Sequence, residues 1–142
     1  MSDKQFASGH CLCGKVSYTI TSEPVRMGQC HCDDCQRSTG TGHTSNAFFP
    51  SDSVTIKGET SSYTSIADNG AEITRHFCPE CGSRIFGKSN LFTEITAFPV
   101  GCLDDHSWFK PQAIVYNKRK PAWDFMDDSV PTFDEMPPPP PS

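Results

Sequence analysis

Long apolar runs are missing from this chain. The longest extend over a few residues, far short of the ~20 that a membrane-spanning helix needs, so no transmembrane helix and no membrane partner are expected. The N-terminus, Met1-Ser2-Asp3-Lys4-Gln5-Phe6, lacks an apolar segment after a basic start; it does not read as a secretory signal, and the expected location is cytoplasmic. An excess of base is missing too: 12 Lys and Arg stand against 17 Asp and Glu, for a formal net charge of -5. Five of those acids (Asp124, Asp127, Asp128, Asp134, Glu135) fall between Pro121 and Ser142, where there is no base, and the rest of the chain is balanced at 12 of each sign. A near-neutral body argues against nucleic acid as the main partner, because phosphate binding usually requires a basic surface. The run Lys118-Arg119-Lys120 is short enough to be a solvated edge. Repeats are absent. Only 35% of the 142 residues are hydrophobic, so one domain with a modest core is expected, and such a domain benefits from metal cross-links.

What is present in quantity is cysteine. Seven of eight fall into three clusters: Cys11-Leu12-Cys13, Cys30-His31-Cys32-Asp33-Asp34-Cys35 and Cys78-Pro79-Glu80-Cys81-Gly82. In a reducing compartment, near-neighbour cysteines are metal ligands rather than disulfide partners. A Cys-x-x-Cys turn brings two sulfurs to one ion, and in an extended Cys-x-Cys both sulfurs face the same side. Pairing the first and last clusters closes one tetrahedral zinc with Cys11, Cys13, Cys78 and Cys81. The middle cluster is left with three thiolates, Cys30, Cys32 and Cys35, and a fourth position for water, a substrate, a histidine or Cys102. A closed zinc is structural, whereas an open one can do chemistry. The expected cofactor is therefore zinc, two per chain.

The remaining chain reads as short strands. Lys15 to Ile20 alternates, with Val16, Tyr18 and Ile20 on one face. Val54 to Ile56 is another strand. Asp68-Asn69-Gly70 signals a hairpin between Tyr63–Ile66 and Ile73–Phe77. Thr93 to Phe98 and Ala113 to Tyr116 complete a mainly β domain. One short helix is predicted over Cys35 to Thr39, capped by Asp33 or Asp34 and ended by Gly40. The expected organisation is a zinc-binding domain over residues 1–126 and an acidic, Pro-rich tail over 127–142. That tail is read as extended or disordered, with polyproline II character at Pro137 to Pro141.

Several side chains are weighed as site residues. His31, between two ligands, is expected to point away from the ion. His10, His43, His76 and His106 read as surface or core histidines, and Cys102 as a small buried hydrophobe or a fourth ligand. Arg37, one turn after Cys35, is a candidate contact for a substrate anion.

Taken together, three stretches resemble one family. They are Gly9-His10-Cys11-Leu12-Cys13-Gly14-Lys15-Val16, Cys30-His31-Cys32-Asp33-Asp34-Cys35-Gln36-Arg37, and Arg75-His76-Phe77-Cys78-Pro79-Glu80-Cys81-Gly82-Ser83-Arg84-Ile85-Phe86. With Gly101-Cys102-Leu103-Asp104-Asp105 and Pro121-Ala122-Trp123, they look like the glutathione-dependent formaldehyde-activating family, which also includes centromere protein V-type domains. The resemblance runs from Gly9 to about Pro131. It implies several coiled antiparallel β-sheets, a structural zinc on Cys11, Cys13, Cys78 and Cys81, and catalysis at a second zinc on Cys30, Cys32 and Cys35. It also implies an activity, condensation of glutathione with formaldehyde to S-(hydroxymethyl)glutathione, classed as a carbon–sulfur lyase in reverse. The expected partners are then a small-molecule thiol and an aldehyde. The other reading is a zinc-stabilised protein-binding module without turnover, which would need a closed second zinc. Two positions depart from the family pattern: the acids Asp33-Asp34 inside the middle cluster, and Cys102, where a small residue is usual.

Overall fold

The computed structural model describes residues 5–137. It is mainly β, with ten short strands, one α-helix and no closed barrel. The described chain divides into two compact units, one formed by residues 5–26 and 47–109, the other by 27–46 and 110–137.

The first unit holds two sets of strands. In the smaller, β1 (Ala7–His10), β2 (Ser17–Ile20) and β5 (Val54–Lys57) form an antiparallel sheet in the order β1-β2-β5. The alternation read in the sequence is real: Val16, Tyr18 and Ile20 are all buried. In the larger set, β6 (Ser61–Ile66), β7 (Glu72–Phe77), β8 (Arg84–Ser89) and β9 (Ile95–Pro99) follow the order β9-β8-β7-β6. The β6–β7 hairpin turns at the Asn-Gly pair as expected, with Ser61 opposite Phe77 and Ile66 opposite Glu72. Phe49, Ile85 and Phe98 are fully buried; Tyr18 packs on Phe98 at 4.6 Å between ring centroids, and Phe49 meets Phe98 edge-on at 5.8 Å.

The second unit contains β3 (Arg26–Cys30, from Met27), the helix α1 (Asp33–Thr39), the start of β4 (Thr44–Pro50) and β10 (Ile114–Val115). One short pairing here is not antiparallel. β10 pairs with β3 in parallel, Ile114 opposite Gln29 and Val115 opposite Cys30. A long connection separates the two strands, so no hairpin forces them antiparallel. Part of the segment read as a tail is hydrogen-bonded to β10 and the turn after it. Ile114 N–H donates to Pro131 O and Phe133 N–H to Ile114 O, both at 2.9 Å, and Asn117 N–H reaches Phe133 O. The prolines beyond Pro137 lie outside the described residues.

The helix departs from the sequence reading at its start. Its N-cap is Cys32, whose sulfur accepts the Cys35 N–H, and not Asp33 or Asp34. Asp33 instead holds Arg119 at 2.6 Å. The basic run is thus partly consumed internally, since Lys118 also pairs with Glu135. Gly40 ends the helix as expected, at φ 75.

Candidate metal centres

The four-sulfur centre lies within the first unit. Cys11 and Cys13 follow β1, Cys78 follows β7, and Cys81 closes the next turn. All four sulfurs lie within 4.8 Å of one another. Cys11 and Cys13 sulfurs are 3.6 Å apart, and those of Cys13 and Cys78 are 3.7 Å apart. Four sulfurs placed about 2.3 Å from one tetrahedral ion would stand about 3.8 Å from each other, so the set fits zinc closely. None of the eight cysteines is joined in a disulfide. The glycine after Cys81 has the positive φ the turn needs, 79 for Gly82.

Hydrogen bonds preset these sulfurs. Val16 N–H donates to Cys11 at 3.3 Å, and the Ser83 hydroxyl lies 3.3 Å from Cys81. The Ser83 hydroxyl and amide pull Cys81 down to about 5. Cys13 moves the other way. The Lys15 amide lowers it, but desolvation and the thiols of Cys11, Cys78 and Cys81 push it up to about 11. Unequal acidities are what sulfurs sharing protons in one cluster show, and metal binding displaces those protons.

The three-sulfur centre lies in the second unit, on the end of β3 and the first turn of α1. Cys30, Cys32 and Cys35 bring their sulfurs within 4.8 Å of one another. Cys32 N–H donates to Cys30 and Cys35 N–H to Cys32, both at 3.4 Å. The adjacent Cys32 and Cys35 thiols, with burial, push the Cys30 thiol up. Three converging sulfurs supply three of the four ligands of a tetrahedral ion, so this donor set also fits zinc.

Among the described residues no further cysteine, histidine or carboxylate groups with these three sulfurs. The Cys102 thiol donates to Arg84 O at 3.3 Å, and burial followed by the Cys11 and Cys81 sulfurs raises its pKa. His31 is buried, with its Nδ1 2.8 Å from Gly42 O. Arg37 lines a cleft of about 320 Å³ with Asp33, Gln36, Gly40, Thr41 and Trp123. Among the described residues no ion pair engages the Arg37 guanidinium.

A third constellation was not legible in the sequence. His31, His43 and Asp124 lie within 4.8 Å of one another, and Asp124 is buried although the sequence offered it only as one of five acids in a stretch without bases. No spacing links residues 31, 43 and 124; only the fold does.

A family profile described as glutathione-dependent formaldehyde-activating enzyme matches residues 6–119. The chain belongs to this family. A relative from Penicillium rubens is 29% identical over 114 residues, covering 75% of this chain and 59% of its own length. One from Aspergillus terreus is 29% identical over 119 residues, covering 78% and 61%. Both bear the family's name, and the chain spans about six-tenths of their length. A crystal structure of a Rhodobacter sphaeroides protein superposes with a TM-score of 0.56 at 19% identity, covering 70% of this chain and 90% of that one. That likeness concerns the fold. In the described residues no helix is long and apolar enough to cross a membrane.

Proposed function

We infer that the chain is a zinc-dependent enzyme acting on thiol–aldehyde adducts, a carbon–sulfur lyase of the S-(hydroxymethyl)glutathione synthase type. The observation that carries this reading is the inequality of the two centres, four sulfurs in one and three in the other. Cys11, Cys13, Cys78 and Cys81 would hold a structural zinc. Cys30, Cys32 and Cys35 would hold a second with one position left for a guest. Bound there, zinc would lower the pKa of a coordinating substrate thiol, so that it meets an aldehyde carbonyl as thiolate.

The chain's own residues would hold and orient. The Cys32 and Cys35 amides draw charge from the sulfurs that accept them. Arg37, which shares its cleft with Trp123 and has no ion pair among the described residues, is suited to a substrate carboxylate such as those of glutathione. Asp33 would repel such an anion, but Arg119 offsets its charge. A small thiol and an aldehyde in the cytoplasm are the partners this reading requires.

The test is direct. Zinc-loaded protein is mixed with glutathione and formaldehyde, and adduct formation is followed by NMR. The expected result is a rate above the spontaneous one. No acceleration, with glutathione or any other cellular thiol, favours the non-catalytic binding module.

A further inference from the structure

The peptide that carries Cys30 and Cys32 has His31 between them, and alternation sends its ring to the opposite side. That side is fully buried. His31 N–H donates to Val115 O at 3.1 Å, and its carbonyl accepts the Gln36 side-chain amide at 2.8 Å. Its Nδ1 lies 2.8 Å from Gly42 O. A carbonyl can only accept, so Nδ1 carries a proton and is no metal ligand. The same Nδ1 is 3.3 Å from Asp124 Oδ2, and that oxygen accepts from His43 Nδ1 at 2.7 Å. One carboxylate oxygen therefore joins two imidazoles. On the other edge of the ring, His31 Nε2 has no hydrogen-bond partner among the described residues. All polar hold on the ring comes from the Nδ1 side, from Gly42 and Asp124.

Residue 42 must be glycine for this to exist. A Cβ there would lie 2.3 Å from Asp124 Oδ2 and 2.6 Å from its Cγ, inside any real contact. The space occupied by the carboxylate is the space a side chain would need.

We propose that Asp124 is a positioning residue for the three-sulfur centre, acting through His31 and His43; this rests on reading Cys30, Cys32 and Cys35 as metal ligands. Three sulfurs bind one ion only while they converge. The His31 ring is the buried anchor of the peptide that carries two of them, so a freed ring lets Cys30 and Cys32 diverge. Groups that orient ligands from behind are worth about 10- to 100-fold in metal affinity. The arrangement is a hydrogen-bond bridge and not a third metal site, because the two nitrogens facing Asp124 are donors.

The experiment is a Co2+ titration of the full metal-stripped chain, read by the thiolate-to-cobalt absorption. Wild type is expected to fill in two waves. Asp124→Asn and Gly42→Ala should keep the first wave and weaken the second by about 10- to 100-fold. His43→Ala should weaken the second wave too. His43→Asn, which restores an N–H near the Nδ1 position, should recover part of the loss. A second wave unchanged in Asp124→Asn and Gly42→Ala overturns the inference. So does a parallel fall of both waves, which would report general loss of folding. A third cobalt without thiolate absorption, removed by Asp124→Asn, also overturns it by making the cluster a metal site. A single wave in wild type defeats the underlying metal reading instead.

Discussion

The two cysteine clusters use the same ligand atom in opposite ways. The four-sulfur centre draws on two segments far apart in the chain, Cys11/Cys13 and Cys78/Cys81, so an ion there would tie the first sheet's opening strand to the β6–β7 hairpin's far end. The three-sulfur centre takes all its sulfurs from six consecutive residues. An ion there closes almost no loop, and closing loops is how a cross-link restrains the unfolded chain. On the proposed reading this sets a division of labour by sequence separation: an ion in one centre would hold the fold, and an ion in the other would exchange its fourth partner without unfolding anything.

Removing one ligand from each centre tests this division most severely. Cys78→Ser should cost more than about 4 kcal/mol or abolish cooperative unfolding, because the metal's binding energy there is folding energy. Thermal melting by circular dichroism reads it. Cys32→Ser should abolish the second metal and bring turnover to the spontaneous rate. Its stability should stay within about 1 kcal/mol of wild type, since serine is itself a good N-cap; Cys32→Ala should lose about 1 kcal/mol more. Equal losses of stability from Cys78→Ser and Cys32→Ser would erase the distinction.

Acid should separate the centres more gently. Ligating thiols must be deprotonated, so metal affinity falls as pH falls. The centre with three protein ligands should release its ion at higher pH than the centre with four. A chromophoric chelator in a descending pH series reads the order of release, and simultaneous release would contradict it. Arg37→Ala addresses only the open centre: KM for glutathione should rise about tenfold with kcat little changed, the scale of one charge-assisted hydrogen bond. Arg37→Lys should recover part. The smallest effect is expected at the helix end, where Gly40→Ala should cost about 1 kcal/mol by forcing a side chain into the left-handed region while both metals stay bound.

Much of this was readable from the chain because local chemistry decided it. The alternation at Val16, Tyr18 and Ile20 gave a buried face, Asn69-Gly70 gave a hairpin, and the cysteine spacings anticipated both groups of converging sulfurs. Where distant partners decide, the sequence was silent. β3 reads Arg-Met-Gly-Gln-Cys, with no period of two in its apolar residues, and is a strand because β10 pairs with it. β4 and β8 were likewise unread. The helix cap went to a sulfur because Asp33 had a better partner in Arg119, 86 residues away. Asp124 looked like one of five acids in a base-free stretch until the fold set it against His31 and His43.

The metals themselves decide between an open and a closed second centre. X-ray absorption at the zinc edge, with zinc counted per chain, measures this in one sample before and after a thiol is added. The expected result is two zincs per chain, with the mean sulfur coordination rising when the thiol enters. One zinc per chain, or two that each hold four sulfurs and ignore the thiol, would contradict it.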